Sequence, residues 1–231
     1  SSTSHAVTIG VTDINDAPTA TNLNAAENYL EDTPLNLTDI VVADVDSPNV
    51  TVTLTLSNIA AGALSTGTSN GVTSTFDPVT GVWSASGAIA DVNALLAGLT
   101  FNPALDFTGT FTVTTSVSDG VAPAITGTKS FATDTPVNDA PTATNLDAPE
   151  TYTEDTPLNL TDIVVADVDS ASVTATLTLS NTAAGALSTG TSNGVTSTFN
   201  PATGVWTASG AIADVNTLLA GVTFTPSTNF N

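Results

Sequence analysis

The chain repeats itself, and the length of the repeat decides what it can fold into. Residues 18–108 aligned with residues 141–231, at an offset of 123, give 73 identities in 91 positions. Glu31-Asp32-Thr33-Pro34-Leu35-Asn36-Leu37 returns as Glu154-Asp155-Thr156-Pro157-Leu158-Asn159-Leu160, and Trp83 returns as Trp206. This is a tandem duplication. A period of 123 residues is too long for one unit of a solenoid and has the size of a whole domain.

Within each repeat the pattern is that of short strands. Val50, Val52, Leu54 and Leu56 alternate with Thr51, Thr53 and Thr55, the period of two expected of a half-buried strand. Residues 110–117 alternate in the same way, with Phe111, Val113, Thr115 and Val117 on one face, and residues 125–131 read as a final strand. Turn signals punctuate these segments: Ser69-Asn70-Gly71, Asp77-Pro78, Thr80-Gly81 and Ser118-Asp119-Gly120. Many short strands at such spacing predict an all-β, antiparallel β-sandwich in tandem. One short helix is expected over residues 92–97, capped by Asp91 and ended by Gly98, with Val92, Leu95, Leu96 and Leu99 facing the core.

The two repeats are not equally complete. The second stops at Asn231, the counterpart of Thr108, and so lacks partners for the strands at 110–117 and 125–131. Residues 5–12 occupy the place of a last strand from a preceding repeat. Either the array is cut in the phase of the sequence repeat, which we prefer, or residues 109–231 form one sandwich. The first alternative leaves an exposed sheet edge in the second repeat, open to strand exchange between molecules. The expected organisation is therefore residues 1–17 as a last strand plus linker, 18–135 as the first repeat, 136–141 as a linker, and 142–231 as an incomplete second repeat. The absence of methionine and of a signal peptide reads as a segment of a longer polypeptide.

Charge restricts the partners. There are 22 acidic residues against a single base, Lys129, a formal charge of −21. Phosphate binding needs Lys and Arg, so nucleic acid is not expected as a partner. Anionic membrane surfaces are disfavoured for the same reason. No apolar run reaches the roughly 18–20 residues of a membrane helix, so direct membrane insertion is not expected either. With no cysteine, disulfide staples and thiolate chemistry are excluded. Stability must come from the core, 41% of residues being hydrophobic, or from bound metal.

The acids are clustered. Asp13-Ile14-Asn15-Asp16-Ala17-Pro18 precedes the first repeat, and Val137-Asn138-Asp139-Ala140-Pro141 stands between the two. Both are short, acidic and closed by proline, which suggests stiff joints where a Gly/Ser tract would give flexible ones. Inside the repeats, Glu31-Asp32 precedes a strand, Asp44-Val45-Asp46 follows one and returns as Asp167-Val168-Asp169, and Asp119-Gly120 sits at a turn. In an extended Asp-x-Asp both carboxylates share a face. Two carboxylates about 4 Å apart repel by roughly 1 kcal/mol in water and about 4 kcal/mol at an effective dielectric near 20. A divalent cation reverses that sign. An all-oxygen donor set selects a hard cation, and calcium accepts six to eight flexible oxygens where magnesium demands a tight octahedron.

These motifs resemble the cadherin pattern. The cadherin linker reads Asp-x-Asn-Asp-x-x-Pro, close to Asp13-x-Asn15-Asp16 with Pro18; Glu31 matches the base glutamate, Asp44-x-Asp46 the Asp-x-Asp pair, and Asp119-x-x-x-Pro123 the acidic turn near the top of the domain. The repeat text looks most like the cadherin-like extender repeats of large bacterial surface adhesins, including RTX adhesins exported by type I secretion. The resemblance implies Ca2+ at two joints. At the first, Asp13, Asn15, Asp16, Asp44, Asp46 and Asp119 would act together. At the second, the ligands would be Glu31, Asp134, Asn138, Asp139, Asp167 and Asp169. Glu154, the counterpart of Glu31, completes the set. The second linker has Pro136 where the first has Asp13, with Asp134 two residues earlier as the substitute, and no good counterpart of the mid-domain Asp-Arg-Glu motif is present. Fewer ions per joint than in animal cadherins are expected.

Other acids read as turn formers: Asp77 becomes Asn200 and Asp106 becomes Asn229 in the second copy, so no charge is needed there, and Asp91 is grouped with them. Glu27 and Glu150 stand open between ligand and structural acid. Trp83 and Trp206 sit in alternating strands and read as packing residues before glycan platforms. His5 has no partner that would make a triad and is expected in solvent.

The expected function is structural. The chain would be a secreted or cell-surface extender, from a Gram-negative bacterium, whose partners are the neighbouring repeats of the same polypeptide. Calcium would stiffen its joints and so project a distal adhesive domain in cell adhesion or biofilm. The alternative is a ligand-binding adhesion module for surface polysaccharide or homophilic contact. An enzyme ranks third, since no acid/base pair or nucleophile stands apart from the candidate ligands.

Overall fold

The structure, a computed structural model, describes residues 4–10, 12, 14–133 and 136–230. It divides into two compact units, Ser1–Val137 and Asn138–Asn231. The division falls inside the 136–141 linker.

The first unit is a two-layered β-sandwich. Its larger sheet has six strands in the order Glu27–Tyr29, Ile125–Thr133, Phe111–Ser118, Asn49–Leu56, Val82–Ala88, Thr75–Asp77. The second layer holds Leu35–Asn36, Thr100–Pro103 and Gly62–Leu64. The alternation in Asn49–Leu56 does what its period dictates: Val50, Val52, Leu54 and Leu56 are all buried, and the threonines between them face away. Phe111, Val113, Thr115 and Val117 behave likewise on Phe111–Ser118. The two layers close over a ring cluster in which Phe111 stacks on Phe131 at 4.6 Å and Tyr29 meets Phe101 edge-on at 5.5 Å. Trp83 is fully buried and donates its indole N–H to the Ser65 carbonyl at 2.9 Å, so it is a packing residue.

Three details differ from the expectations. Glu27–Tyr29 runs parallel to Ile125–Thr133, with Phe131 opposite Glu27, so one edge pairing of the otherwise antiparallel sandwich is parallel. The helix spans Ile89–Ala97 and begins one turn earlier than expected, with Ala88 at its N-cap and no side-chain cap. Asp91 lies in its first turn and accepts from Ser69 Oγ at 3.0 Å and Asn70 Nδ2 at 2.6 Å, tying the helix to the Thr68–Thr73 hairpin. Finally, the described residues of 5–12 form no strand, since no strand borders them among the described residues; His5 is exposed.

The second unit repeats most of the elements of the first. Ser172–Thr178, Val205–Ala211 and Thr198–Asn200 form one sheet; Leu158–Asn159, Thr223–Pro226 and Gly185–Leu187 form the other. The helix returns as Ile212–Ala220, and Trp206 is again fully buried, donating to the Ser188 carbonyl at 3.0 Å. Left-handed Asn22, Asp32, Asn70 and Asp106 recur as Asn145, Asp155, Asn193 and Asn229, the residue types that tolerate positive φ. The hairpin of Phe111–Ser118 and Ile125–Thr133 pairs with Asn49–Leu56 in the first unit. In the second unit Ser172–Thr178 pairs with Val205–Ala211 and with no other strand among the described residues.

Candidate metal centre

The acidic motifs are held by backbone amides in a pattern that appears once in each unit. In the first, the strand Val42–Ala43 ends at Asp44, and the chain turns so that the amides of Asp46 and Ser47 both donate to Asp44 Oδ1, at 3.1 and 2.9 Å. This is the local bonding that aspartate offers at a turn. Asp46 Oδ2 in turn accepts from the Asp16 amide at 2.8 Å, which draws the linker onto the domain. Asn15 donates through Nδ2 to Asp119 Oδ2 at 2.6 Å, and Ser47 Oγ donates to Asn15 Oδ1 at 3.3 Å. Asp119 Oδ1 takes the amides of Val121 and Ala122 at 2.9 and 3.0 Å. Five residues separated by up to 104 positions, Asn15, Asp16, Asp44, Asp46 and Asp119, thus share one network. Ser47 joins it unforeseen; a serine after Asp-x-Asp is too ordinary a turn residue to stand out.

The electrostatics of this network lack a positive charge. The Asn15 amide, with those of Val121 and Ala122, holds Asp119 below the usual carboxylate range. The Ser47 amide does the same for Asp44 against the opposing effect of burial. Asp46 goes the other way. The Asp16 amide favours its charge, but burial and the facing Asp44 carboxyl together raise it. Asp44 Oδ2 and Asp46 Oδ1 are buried and receive no hydrogen bond. Two orphaned carboxylate oxygens in an all-oxygen setting fit a hard cation, and calcium best among them.

In the second unit the arrangement recurs. Asp167 Oδ1 accepts from the Asp169 and Ser170 amides at 3.0 and 2.7 Å, and Asp169 Oδ2 accepts from the Asp139 amide at 2.5 Å. Asn138 Nδ2 donates to the Asp139 carbonyl at 2.8 Å, as Asn15 does to Asp16 at 2.9 Å. Asn138, Asp139, Asp167 and Asp169 are therefore grouped, without a counterpart of Asp119.

The remaining candidates are placed differently. Glu31 is buried at 1% exposure and accepts the Val137 amide at 2.9 Å, apart from the Asp44–Asp46 network. Glu154 is exposed. Asp13 and Asp134 lie outside the described residues. Asp106 donates its amide to Asp32 Oδ1 at 3.0 Å, and Asp77 takes Val79 N–H and Thr80 Oγ at 2.9 and 2.8 Å, both turn roles. Glu27 is a structural acid. Lys129 Nζ meets its Oε1 at 2.7 Å with side-chain exposures of 0% and 6%, and Thr38 donates its amide and hydroxyl at 2.9 and 3.1 Å. The sequence carried a signal for this pair: a lone base among 22 acids, on an inward position of an alternating strand, must find a carboxylate.

No family model matches the chain, and no curated protein matches it. Among solved structures it is similar to the extracellular cadherin domains 1–5 of protocadherin gamma B2, with 15% identity and a TM-score of 0.36 over 87% of this chain and 33% of that one. It is similar also to human CDH23 EC21-23, with 21% identity and a TM-score of 0.33 over 86% and 55%. A third is the C-terminal domain of the Streptococcus agalactiae AgI/II polypeptide BspA, with 12% identity and a TM-score of 0.27 over 90% and 88%. The chain spans about a third of the length of the first of these.

Proposed function

We propose that this chain is a calcium-binding structural segment of an extracellular array, an extender in a bacterial surface adhesin whose acidic linkers stiffen when calcium binds. The observation that carries the reading is the Asp44–Asp46 pair. It is anchored by backbone amides, drawn onto the 13–18 linker through Asp16, and left with two buried oxygens that no donor reaches. A cation there would be held by Asp44 and Asp46, with Asp16, Asn15 and Asp119 around them. The same hydrogen bonds around Asp167, Asp169 and Asp139 make it a property of the repeat. Asp13, Glu31, Asp134 and Glu154 complete the ligand set that the cadherin resemblance implies. Calcium supplies positive charge where like charges gather; the protein supplies the oxygens, their orientation and the proline-closed linkers.

Extracellular calcium modules bind at roughly 10⁻⁴–10⁻³ M, so ions outside a cell would fill such sites and cytosolic ions would not. A type I-secreted origin, a Gram-negative host and the projection of a distal adhesive domain belong to the same proposal. Among the described residues no helix is long and apolar enough to cross a membrane. Neither tryptophan offers a stacking platform for a glycan, since Trp83 and Trp206 are both fully buried. The test is small-angle scattering of the full chain at about 2 mM calcium and in chelator, with calorimetric titration alongside. Calcium is expected to bind and to lengthen the particle. A maximum dimension and melting temperature indifferent to calcium would sink the reading.

A further inference from the structure

Asn-Gly occurs twice in the chain, at Asn70-Gly71 and at Asn193-Gly194. Each dipeptide is the whole turn of a short hairpin. Ser69 lies opposite Val72 and Thr68 opposite Thr73, as Ser192 lies opposite Val195 and Thr191 opposite Thr196. Both turn residues hold left-handed backbone, with φ of 44° and 92° in the first copy and 42° and 92° in the second. The asparagine is exposed in both copies. A Cβ built on Gly71 or Gly194 would meet nothing within 4 Å. The Gly71 and Gly194 amides donate to no acceptor among the described residues.

Each asparagine side chain ties its hairpin to a helix. Asn70 Nδ2 donates to Asp91 Oδ1 at 2.6 Å, and Asn193 Nδ2 donates to Asp214 Oδ1 at 2.7 Å. Asp91 and Asp214 lie in the first turns of their helices. The Ser69 and Ser192 hydroxyls donate to the same oxygens at 3.0 and 2.7 Å. The tie needs a donor on the asparagine. An ionised aspartate in its place offers none and sets a second carboxylate against the first.

The turn also places a nucleophile beside the amide. The Gly71 nitrogen bonds to Asn70 Cγ, the Cγ–Nδ2 bond breaks, and ammonia leaves with the proton that the Gly71 nitrogen carried. A cyclic imide remains. Water opens it at either carbonyl, giving aspartate or isoaspartate. The net exchange is ammonia for water, with no redox step. A side chain on the following residue crowds the attacking nitrogen, and glycine has none. Asn28, Asn58 and Asn216, by contrast, precede Tyr29, Ile59 and Thr217.

We propose that Asn70-Gly71 and Asn193-Gly194 are sites of spontaneous deamidation, and that the acid formed releases each hairpin from its helix. The aspartate product loses the donor and faces a like charge. The isoaspartate product also adds a backbone carbon to a two-residue turn, which breaks the register of Ser69 with Val72. Val72 and Val195 pack against their cores, so the release stays local to the turn and the helix start. The inference stands apart from the calcium reading, because none of these residues is a candidate ligand.

The test ages the full chain at mildly alkaline pH and reads its peptides by mass. Peptides extended through Val79 or Ala202 tell the two copies apart. Both Asn-Gly peptides are expected to exchange ammonia for water ahead of every other asparagine, and to split into aspartate and isoaspartate forms. Asn70→Gly, which accepts a left-handed φ, should remove the change from the first copy and leave it in the second. The converted chain, separated by charge, should lose hydrogen-exchange protection over residues 68–73 by a factor on the order of 10. Asn70→Asp should reproduce that loss in the first unit. Adding Asp91→Asn should restore protection, since donor and acceptor then change places. The aged chain folded before it converted, so its readout needs no substitution. Asn-Gly peptides that convert no faster than the other asparagines overturn the proposal. Conversion that leaves residues 68–73 equally protected overturns it too, as does a loss that Asp91→Asn fails to reverse.

Discussion

The two units carry nearly the same sequence over residues 18–108 and 141–231, yet among the described residues a closing hairpin pairs with the first alone. The comparison separates structure that a repeat encodes locally from structure that waits for a distant strand. The helix, the tryptophan strand with its indole hydrogen bond, and the left-handed turns at Asn22, Asp32, Asn70 and Asp106 are the same in both. What changes lies against the hairpin. Tyr29 is 1% exposed, and Tyr152 only half-buried; Leu54 is fully buried, and Leu177 half-buried; Glu27 is 6% exposed, and Glu150 lies in solvent. Glu27–Tyr29 is a strand because Ile125–Thr133 runs beside it, and residues 150–152, with the same Glu and Tyr, are not. A two- or three-residue strand has no propensity of its own; the neighbour makes it.

The sharpest way to break this comparison is to remove the one base. Lys129→Ala leaves Glu27 buried without a counter-ion and is expected to cost the first unit about 3–5 kcal/mol. The second unit should not respond, and Glu150→Gln should change it by less than about 0.5 kcal/mol. Hydrogen exchange under mild denaturant, read on peptides from each unit, distinguishes them. Equal losses in the two units would mean that their stabilities are not separable.

A core truncation sharpens the same point with identical chemistry at matched positions. Leu54→Ala is expected to cost about 2–5 kcal/mol, because a buried cavity opens under the hairpin. Leu177→Ala is expected to cost about 1 kcal/mol, since that side chain keeps part of its surface in solvent. Urea melts of the two variants, again resolved by unit, check the ratio. A Leu177→Ala loss as large as that of Leu54→Ala would show the second unit burying that side chain unaided.

Much of this architecture is legible in the sequence, and the limits have physical causes. Alternation over Asn49–Leu56 and Phe111–Ser118 announces strands because burial on one face imposes a period of two. The helix was visible in its leucines, but not its start, because Asp91 looks like a cap and instead bonds Ser69 and Asn70 from a hairpin. The acidic motifs were legible as clusters of oxygen-bearing side chains. Which acids share a network was not, since Asn15 and Asp119 are 104 residues apart and meet only in the folded domain. Glu27 could not be assigned from its neighbours, because its partner lies on a strand at the other end of the unit's sequence.

Calcium should act on what the two units have in common. At about 2 mM calcium the melting temperature of the first unit is expected to rise by about 2–8 °C. Asp46→Asn should abolish most of that rise. Without calcium the variant should melt no lower than the parent at neutral pH. The sign follows from Asp46, whose carboxyl is raised in the folded state, so that ionising it works against folding as pH climbs above the unfolded value. That cost fades as pH falls and Asp46 protonates, so parent and variant should converge under acid. A parent more stable than Asp46→Asn in chelator at neutral pH would show that the Asp44–Asp46 pair is neutralised by something other than a cation.

The smallest effect tests the turn residues, where a charged Asp77 in the first copy stands at the position of a neutral Asn200 in the second. Asp77 Oδ1 accepts the Val79 amide at 2.9 Å, and Asn200 Oδ1 accepts the Ala202 amide at 2.9 Å. The bond needs an oxygen and not a charge, so Asp77→Asn should stay close to the parent in stability at neutral pH. The pH dependence should nevertheless differ. The Val79 amide, with the Thr80 hydroxyl, holds Asp77 below the usual carboxylate range. Its contribution is therefore present above the unfolded pKa of roughly 3.9 and is lost as pH falls through the lower folded value. Asn200 has no proton to gain, and Asp77→Asn should remove this acid-side loss from the first unit. Melting curves from pH 6 down to about pH 2 for the parent and Asp77→Asn measure it. If the two curves stay parallel throughout, the turn is held by its backbone alone, and the aspartate in the first copy is as dispensable as its replacement in the second implies.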